Sequence, residues 1–261
     1  MEVAVIGAGG FVGSAFVRQL RARGHNPVEV RRESFGQHSE RTWDLVVDAA
    51  GNSRKYLAEK EPWRNFELTV VHKSAVLEHY PARFHLHVSS VDVYADLTQP
   101  ETTREDCPAG HGASCYGFHK WLAEELVRFH VDHYLVCRLA GMVGPGLKKN
   151  PVYDILHGTP LQIHPESKYQ FLSTDDAARL CLNLWQGGVD CEIYNVCAKG
   201  LITPAEIARL ASCPLQIGLL GHKPRIVHAD YEKLEGICVV PETHDVMQNF
   251  LRLYKTRTIY T

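Results

Sequence analysis

A parallel, doubly wound α/β sheet is the fold class this sequence predicts, and three observations predict it. The chain opens with an apolar strand that runs through a glycine-rich turn into an amphipathic helix. Short apolar strands then alternate with helical patterns, as they do when crossover helices join strands in parallel. Finally, 45% hydrophobic and 22% charged residues over 261 positions describe a globular chain with room for one large domain and a small lobe.

Val3-Ala4-Val5-Ile6 is the first strand, Gly7 to Gly13 the turn, and residues 14–23 the first helix. Strands follow at 27–30, 45–49 and 84–90, with helical patterns over 58–80 between the last two. Residues 116–129 place Phe118, Leu122, Leu126 and Phe129 on one helical stripe, and 135–137 reads as the next buried strand. From Gly144 the chain is punctuated by Gly144-Pro145-Gly146, Asn150-Pro151, Thr159-Pro160 and His164-Pro165. Helical patterns return at 175–185 and 204–211, around a strand at 193–196. The expected organisation is a dinucleotide-binding domain over 1–147, rejoined by 171–200, with 148–170 and 201–261 forming a small interwoven substrate lobe.

The 28 Lys+Arg against 30 Asp+Glu, a formal net charge of −2, lack the basic excess of a nucleic-acid binder. No apolar run approaches the roughly 20 residues that cross a bilayer, and Met1-Glu2 leads into an apolar, glycine-rich segment rather than a basic leader. A cytoplasmic protein with a small-molecule substrate, and with neither nucleic acid nor membrane as partner, is expected. The cysteines at 107, 115, 137, 181, 191, 197, 213 and 238 lack zinc-knuckle spacing and read as free, mostly buried thiols. His85-Leu86-His87 and His130-Val131-Asp132-His133 want a third ligand, so no metal site is expected. His85 and His87 instead share one strand face as packed or solvent-facing side chains.

In the first turn Gly7 permits the tight bend, Gly10 lets backbone approach a pyrophosphate, and Gly13 lets the helix pack close. The helix N-terminus adds unpaired N–H groups for phosphates. Set between a strand and a helix, this pattern points to a dinucleotide. An acidic side chain after the second strand would suit the ribose 2′-hydroxyl of NAD. Arg31 and Arg32 stand there instead and suit a 2′-phosphate, which favours NADP(H) over NAD(H) even though Glu29 and Glu33 flank them. Tyr116 and Lys120 lie one helical turn apart, so the ammonium can lower the phenol's pKa and ready it for proton transfer. Tyr56 and Lys60 repeat the spacing by coincidence; only Tyr116 follows a strand ending in hydroxyls, Ser89-Ser90.

Gly7-x-x-Gly10-x-x-Gly13, Ser89-Ser90-Val91-Asp92-Val93-Tyr94, Tyr116-x-x-x-Lys120, Arg138 followed by Val143-Gly144-Pro145-Gly146, and Phe171-Leu172-Ser173-Thr174-Asp175-Asp176 occur in a recognisable order. Together they resemble the extended short-chain dehydrogenase/reductases, the NAD(P)-dependent epimerase/dehydratase family acting mainly on nucleotide sugars, across nearly the whole chain. The resemblance implies a Rossmann fold in which Tyr116 is the catalytic acid/base. It implies that Lys120 binds the nicotinamide ribose and tunes Tyr116, and that Ser90 holds the reacting oxygen. Gly7, Gly10, Phe11, Val12 and Gly13, the Ala49-Ala50-Gly51 segment, and Ala140, Met142 and Val143 would line the cofactor. Lys148, Lys149 and Asn150 would face the substrate, the lysines matching a diphosphate in charge, with Asp92 as an auxiliary base or a loop cap. A homodimer is implied, pairing the helix from Tyr116 with the preceding long helix around 65–80.

Departures from the family pattern sort the reactions. Dehydratases of the family resemble one another in an Asp-Glu pair after the catalytic hydroxyl residue; Val91-Asp92 stands here, which disfavours dehydration. Epimerases often carry asparagine three residues after the arginine, where this chain has Gly141. The segment between Arg31 and Asp44 is short for the usual strand and adenine contact. The leading expectation is an NADPH-dependent reductase of a keto-sugar, such as a nucleotide-linked 4-keto-6-deoxy sugar. An NAD(P)-dependent nucleotide-sugar epimerase is the alternative, and a non-catalytic NAD(P)-binding sensor or scaffold the alternative of another class.

Overall fold

Six parallel strands, in the order β2-β1-β3-β4-β5-β9, form the central sheet of the computed structural model, which describes residues 1–38, 41–218 and 223–256. They are β1 (Val3–Ile6), β2 (Val28–Val30), β3 (Leu45–Asp48), β4 (His85–Ser90), β5 (Tyr134–Leu139) and β9 (Glu192–Val196). All six expected strands are present, with shifted ends. The sequence order reverses between β1 and β3, so the crevice where such folds bind ligands opens at the carboxyl ends of β1, β3 and β4.

Alternation along the strands divides the core. Val3, Val5, Leu45 and Val47 pack with Phe16 and Leu20 of α1 (Gly13–Ala22) and Leu180 and Leu184 of α7 (Thr174–Gln186). Ala4, Ile6 and Val46 face the other way, onto Trp43, Val76 and Tyr80. Burial on both faces explains why these strands read as continuous apolar runs.

The helical pattern over 58–80 is not one helix. It divides into α2 (Lys55–Lys60), α3 (Pro62–Phe66), a π-helical turn Glu67–Val71, and α4 (His72–His79). Pro62 cannot continue α2 and starts α3 instead, after Glu61 leaves helical geometry. The helix α5 (Cys115–His130) packs beside α4 on β4.

The remaining elements are β6 (Gly141–Val143), α6 (Pro151–His157), β7 (Lys168–Tyr169), β8 (Phe171–Ser173), α8 (Pro204–Ala211), β10 (Ile226–Val227), α9 (Glu232–Glu235) and α10 (Thr243–Lys255). β6 pairs with β8 and β7 with β10, both in parallel. The sequence pattern had not indicated α10, which lies against β8 and α8. No helix among the described residues is long and apolar enough to cross a membrane. All eight cysteines are free, but only Cys137, Cys181 and Cys197 are buried, which corrects the expectation of mostly buried thiols: the others lie near element ends and loops.

Candidate active site

β4 ends in two serines that point to opposite faces. Ser90 is followed by a short 3₁₀ turn, Val91–Val93, which it caps by accepting from the Asp92 amide at 3.3 Å. α5 begins just above, with Ser114 as its cap accepting from the Gly117 amide at 3.2 Å. Gly117 is obligatory, because a Cβ there would lie 1.8 Å from the Asp92 carbonyl oxygen. This close approach seats the first turn of α5 on the Ser90 turn. It brings the buried Tyr116 phenol beside the Ser90 hydroxyl and buries Lys120 one turn further on.

Burial, and then the Asp92 carboxylate, push the Tyr116 phenol above its ordinary range, with the Ser90 contact opposing them. This corrects the expectation that Lys120 would lower it: desolvation of a buried phenolate outweighs the nearby ammonium. Lys120 itself is drawn down to about 8 by burial, against the pull of Glu124 and Asp92. The arrangement keeps Tyr116 protonated and able to donate.

The glycine turn fits a dinucleotide. Gly7 has φ 77°, and a Cβ on Gly13 would stand 2.1 Å from the Gly7 carbonyl oxygen, so helix and strand meet as closely as backbone allows. α1 then opens with neither a side-chain cap nor an acidic residue in its first turn, leaving N–H groups for phosphate. Phe11 and Val12 are half-buried beside it. At the end of β2, the Arg31 side chain runs past Gly9, within 3.7 Å of where a Cβ would stand, but pairs with Glu29 at 2.9 Å. Arg32 is exposed and close enough to His72 to disfavour its protonation, after burial.

Across the crevice, Ala49 and Ala50 are half-buried and Gly51 turns with φ 110°. A Cβ on Gly51 would lie 3.6 Å from the Lys120 ammonium, so this segment meets the site at Lys120. Its course is fixed from below. Asp48 accepts from the Ala50 amide at 3.0 Å and forms a buried ion pair with Lys73. Met142 and Val143 are buried on β6, and Ala140 is half-buried before it.

The expected substrate residues divide. Asp92 accepts from Ser90 at 2.8 Å and pairs with Lys55 at 2.7 Å. Lys148 and Lys149 are both exposed, and Lys149 reaches back to the Ser53 carbonyl and, at 3.2 Å, its hydroxyl. Asn150 is committed to structure: its amide donates to the Met142 carbonyl at 2.9 Å and accepts from the Tyr153 amide at 3.0 Å, capping α6. Ser53, Arg54 and Lys55 went unnoticed in the sequence. Their signal was a hydroxyl and two cations directly after the Ala49–Gly51 segment.

Behind the site lies a satisfied network. Glu124 accepts from Ser89 and from Arg138 at 2.7 and 3.1 Å, Arg138 donates to Tyr94 at 2.7 Å, and Tyr94 donates to Asn195 at 3.1 Å. Tyr94 and Arg138 of the sequence motifs are thus scaffold. So is the 171–176 motif: Ser173 caps α7, and Asp175 ties α7 to Arg18 of α1 at 2.9 Å. Gly141 cannot be asparagine on this backbone, because a Cβ would lie 2.6 Å from the Gln170 carbonyl oxygen. Tyr56 is 57% exposed. His85 and His87 are both packed rather than solvent-facing.

Comparison with known proteins agrees with this architecture. The family model described as the NAD dependent epimerase/dehydratase family matches residues 3–197. A UDP-galactose 4-epimerase structure superposes with a TM-score of 0.81 at 24% identity, covering 98% of this chain and 99% of that one. A dTDP-4-dehydrorhamnose reductase from Clostridium acetobutylicum gives 0.81 at 16% identity, with 98% and 100% covered. RMD from Pseudomonas aeruginosa, complexed with NADPH, gives 0.80 at 20%, with 98% and 99% covered. At these identities the superpositions establish the fold. Curated proteins offer no match to the chain.

Proposed function

This chain belongs to the NAD dependent epimerase/dehydratase family, and on that premise we propose that it is an enzyme of nucleotide-sugar type, an NADPH-dependent keto-sugar reductase. The substrate is a nucleotide-linked 4-keto-6-deoxy sugar. The observation that carries the reading is the buried Ser90–Tyr116–Lys120 set, with a phenol held protonated beside a serine hydroxyl.

The Gly7–Gly13 turn and the α1 N-terminus would hold the cofactor's phosphates, Arg31 and Arg32 its 2′-phosphate, and Ala49–Gly51, Ala140, Met142 and Val143 its remaining faces. When bound, the nicotinamide supplies hydride. Ser90 holds the substrate carbonyl oxygen, and Tyr116 delivers its proton to that oxygen as negative charge develops there. Lys120 contributes a positive charge that stabilises the phenolate left behind. Orientation in a buried site and a preorganised proton donor are the sources of rate. Lys148 and Lys149 support a diphosphate-bearing substrate. Asp92, which accepts the single Ser90 proton in this structure, must release it to the substrate carbonyl oxygen when Ser90 holds that oxygen, and then keeps its pairing with Lys55.

Epimerisation is the second reading. Glu29 neutralises part of the Arg31 charge where the cofactor ribose would lie, which suits NAD. Against it stands Gly141, whose surroundings exclude the asparagine of many epimerases. Exposed Val71 and Phe129, with half-exposed Phe118, support a homodimer through the segment around 65–80 and α5. A fluorescence titration with NADPH and NADH, following energy transfer from tryptophan, tests the cofactor. Preference for NADPH, followed by reduction of a 4-keto nucleotide sugar, is expected. Preference for NADH together with cofactor retained through purification would favour the epimerase.

A further inference from the structure

Resting on the reading of Tyr116 and Lys120 as the proton-donating pair, we propose that His85 and His87 form a buried relay that carries protons from solvent at the amino end of β4 to Lys120, behind the site. The two imidazoles alternate with Leu86 and Val88 and so share one face of the strand, with their Cα atoms about 7 Å apart. Both residues are only 1% exposed. Ser89, the next residue on that face, binds Glu124 of α5, and Lys120 stands one turn before Glu124. The row therefore runs from the amino end of β4 towards the reacting centre.

The histidines are not matched by the protein around them. Neither ring nitrogen of His87, nor Nε2 of His85, has a hydrogen-bond partner among the described residues. An imidazole kept for packing alone gains nothing by forgoing these bonds, because each unmatched polar atom in a core costs stability. Ordered water can supply them. An imidazole so bridged accepts a proton at one nitrogen while donating from the other, and passes it on without storing charge.

Both ends of the row lead somewhere. His85 lies in the floor of a groove at the amino end of β4, lined also by Tyr80, Arg83, His130 and His133. At the other end, His87 is near enough to Lys73 and Lys120 for both ammoniums, after burial, to oppose its protonation. Asp48, opposite His87 in the sheet register, takes up the Lys73 charge in a buried ion pair, and Glu124 is committed to Ser89 and Arg138. His87 is thus the neutral neighbour of Lys120 with nitrogens to spare. With cofactor and sugar in the crevice, Tyr116 and Lys120 are covered from the front, and the row behind them is the way left for protons.

Each turnover moves one proton inward. Tyr116 gives its proton to the carbonyl oxygen as the carbonyl is reduced, and the Lys120 ammonium gives one to the phenolate. The Lys120 amine then takes one from His87, which regains one at its other nitrogen from the groove through His85 and water. Lys120, drawn down to about 8 by burial, exchanges its proton near neutral pH as this requires.

Nitrogen-15 spectra of histidine-labelled, NADPH-saturated protein test the relay by magnetisation transfer from water to the His87 ring N–H, assigned by its loss in His87→Gln. The proposal expects exchange that is rapid in the wild type and slowed about tenfold or more in His85→Phe, where it then waits on local opening. His85→Leu makes the same comparison if the larger ring prevents folding. His87→Gln should lower steady-state reduction of a 4-keto-6-deoxy nucleotide sugar about tenfold, less than loss of the donor itself. Its solvent deuterium isotope effect should rise while the rate of reduction in the first turnover stays at the wild-type value, a split that a packing role would not produce. A His87 ring proton that exchanges only on global unfolding, exchange indifferent to replacement of His85, or wild-type turnover and isotope effect in His87→Gln would overturn the proposal. Tyr116→Phe should show wild-type exchange at His87. A wild-type protein that reduces no keto-sugar would count against the catalytic reading and leave the exchange result to decide the relay.

Discussion

One residue along β4 and one turn along α5 separate two buried polar clusters of opposite character. Ser89 and Glu124 belong to a network with Arg138, Tyr94 and Asn195, in which carboxylate, guanidinium and phenol all have short hydrogen bonds. Ser90 and Lys120 belong to the candidate site, where Tyr116 is buried beside Ser90 and Lys120 has no ion pair among the described residues. The charges in the first cluster compensate one another, and Arg138 stays fully charged because Glu124 and Tyr94 outweigh its burial. In the second, burial outweighs the groups that oppose it and moves both pKa values. Charges compensated within a network build scaffold; a buried phenol and ammonium matched by no ion pair are available for chemistry.

Substitutions can break this contrast. Tyr116→Phe should lower turnover by about 10²–10⁴-fold, the usual worth of a positioned general acid. Cofactor affinity and unfolding midpoint should stay near wild type, as read by steady-state rates, fluorescence titration and denaturant melts. Arg138→Met should do the reverse, stranding Glu124 and costing about 3–5 kcal/mol of stability in the same melts. If instead Arg138→Met abolished turnover in a protein of unchanged stability, the division between scaffold and site would be wrong. Gly141→Ala should destabilise by about 1–3 kcal/mol through the clash with the Gln170 carbonyl, and an equally stable variant would show that this backbone yields.

The pH profile sharpens the same comparison. Lys120 works as an ammonium, and burial brings its deprotonation down from the ordinary lysine range to about 8. kcat/KM should therefore fall as pH rises through about 8, and Lys120→Arg, which cannot lose its proton there, should extend whatever activity it retains to higher pH. A wild-type profile flat to pH 10 would contradict the assignment. The smallest effect belongs to Arg31, exposed and shared with Glu29: Arg31→Ala should weaken NADPH binding only about fivefold, in line with about 1 kcal/mol for an exposed ion pair.

The sheet was legible because its strands are buried on both faces and its first turn needs glycine at 7 and 13 for steric reasons that a sequence shows directly. The Ser90, Tyr116 and Lys120 grouping was legible from spacing and order. Three things were not. The break at Pro62 was hidden by an apolar pattern that continues through it. The pKa of Tyr116 depends on burial, which no spacing reports. Arg54 and Lys55, both exposed, are near Lys149 only because that residue, distant in sequence, folds back onto Ser53. Asn150 erred the other way, since a loop asparagine before proline reads as a ligand and proved to be the cap of α6.

The most direct test of the central claim is a stoichiometric turnover: wild-type protein, one equivalent of NADPH and a 4-keto-6-deoxy nucleotide sugar, with nicotinamide absorbance and sugar product followed together. The account predicts one NADPH oxidised for each keto-sugar reduced, and no oxidation in Tyr116→Phe although it binds NADPH. Interconversion of sugar epimers with no net loss of NADPH would contradict it.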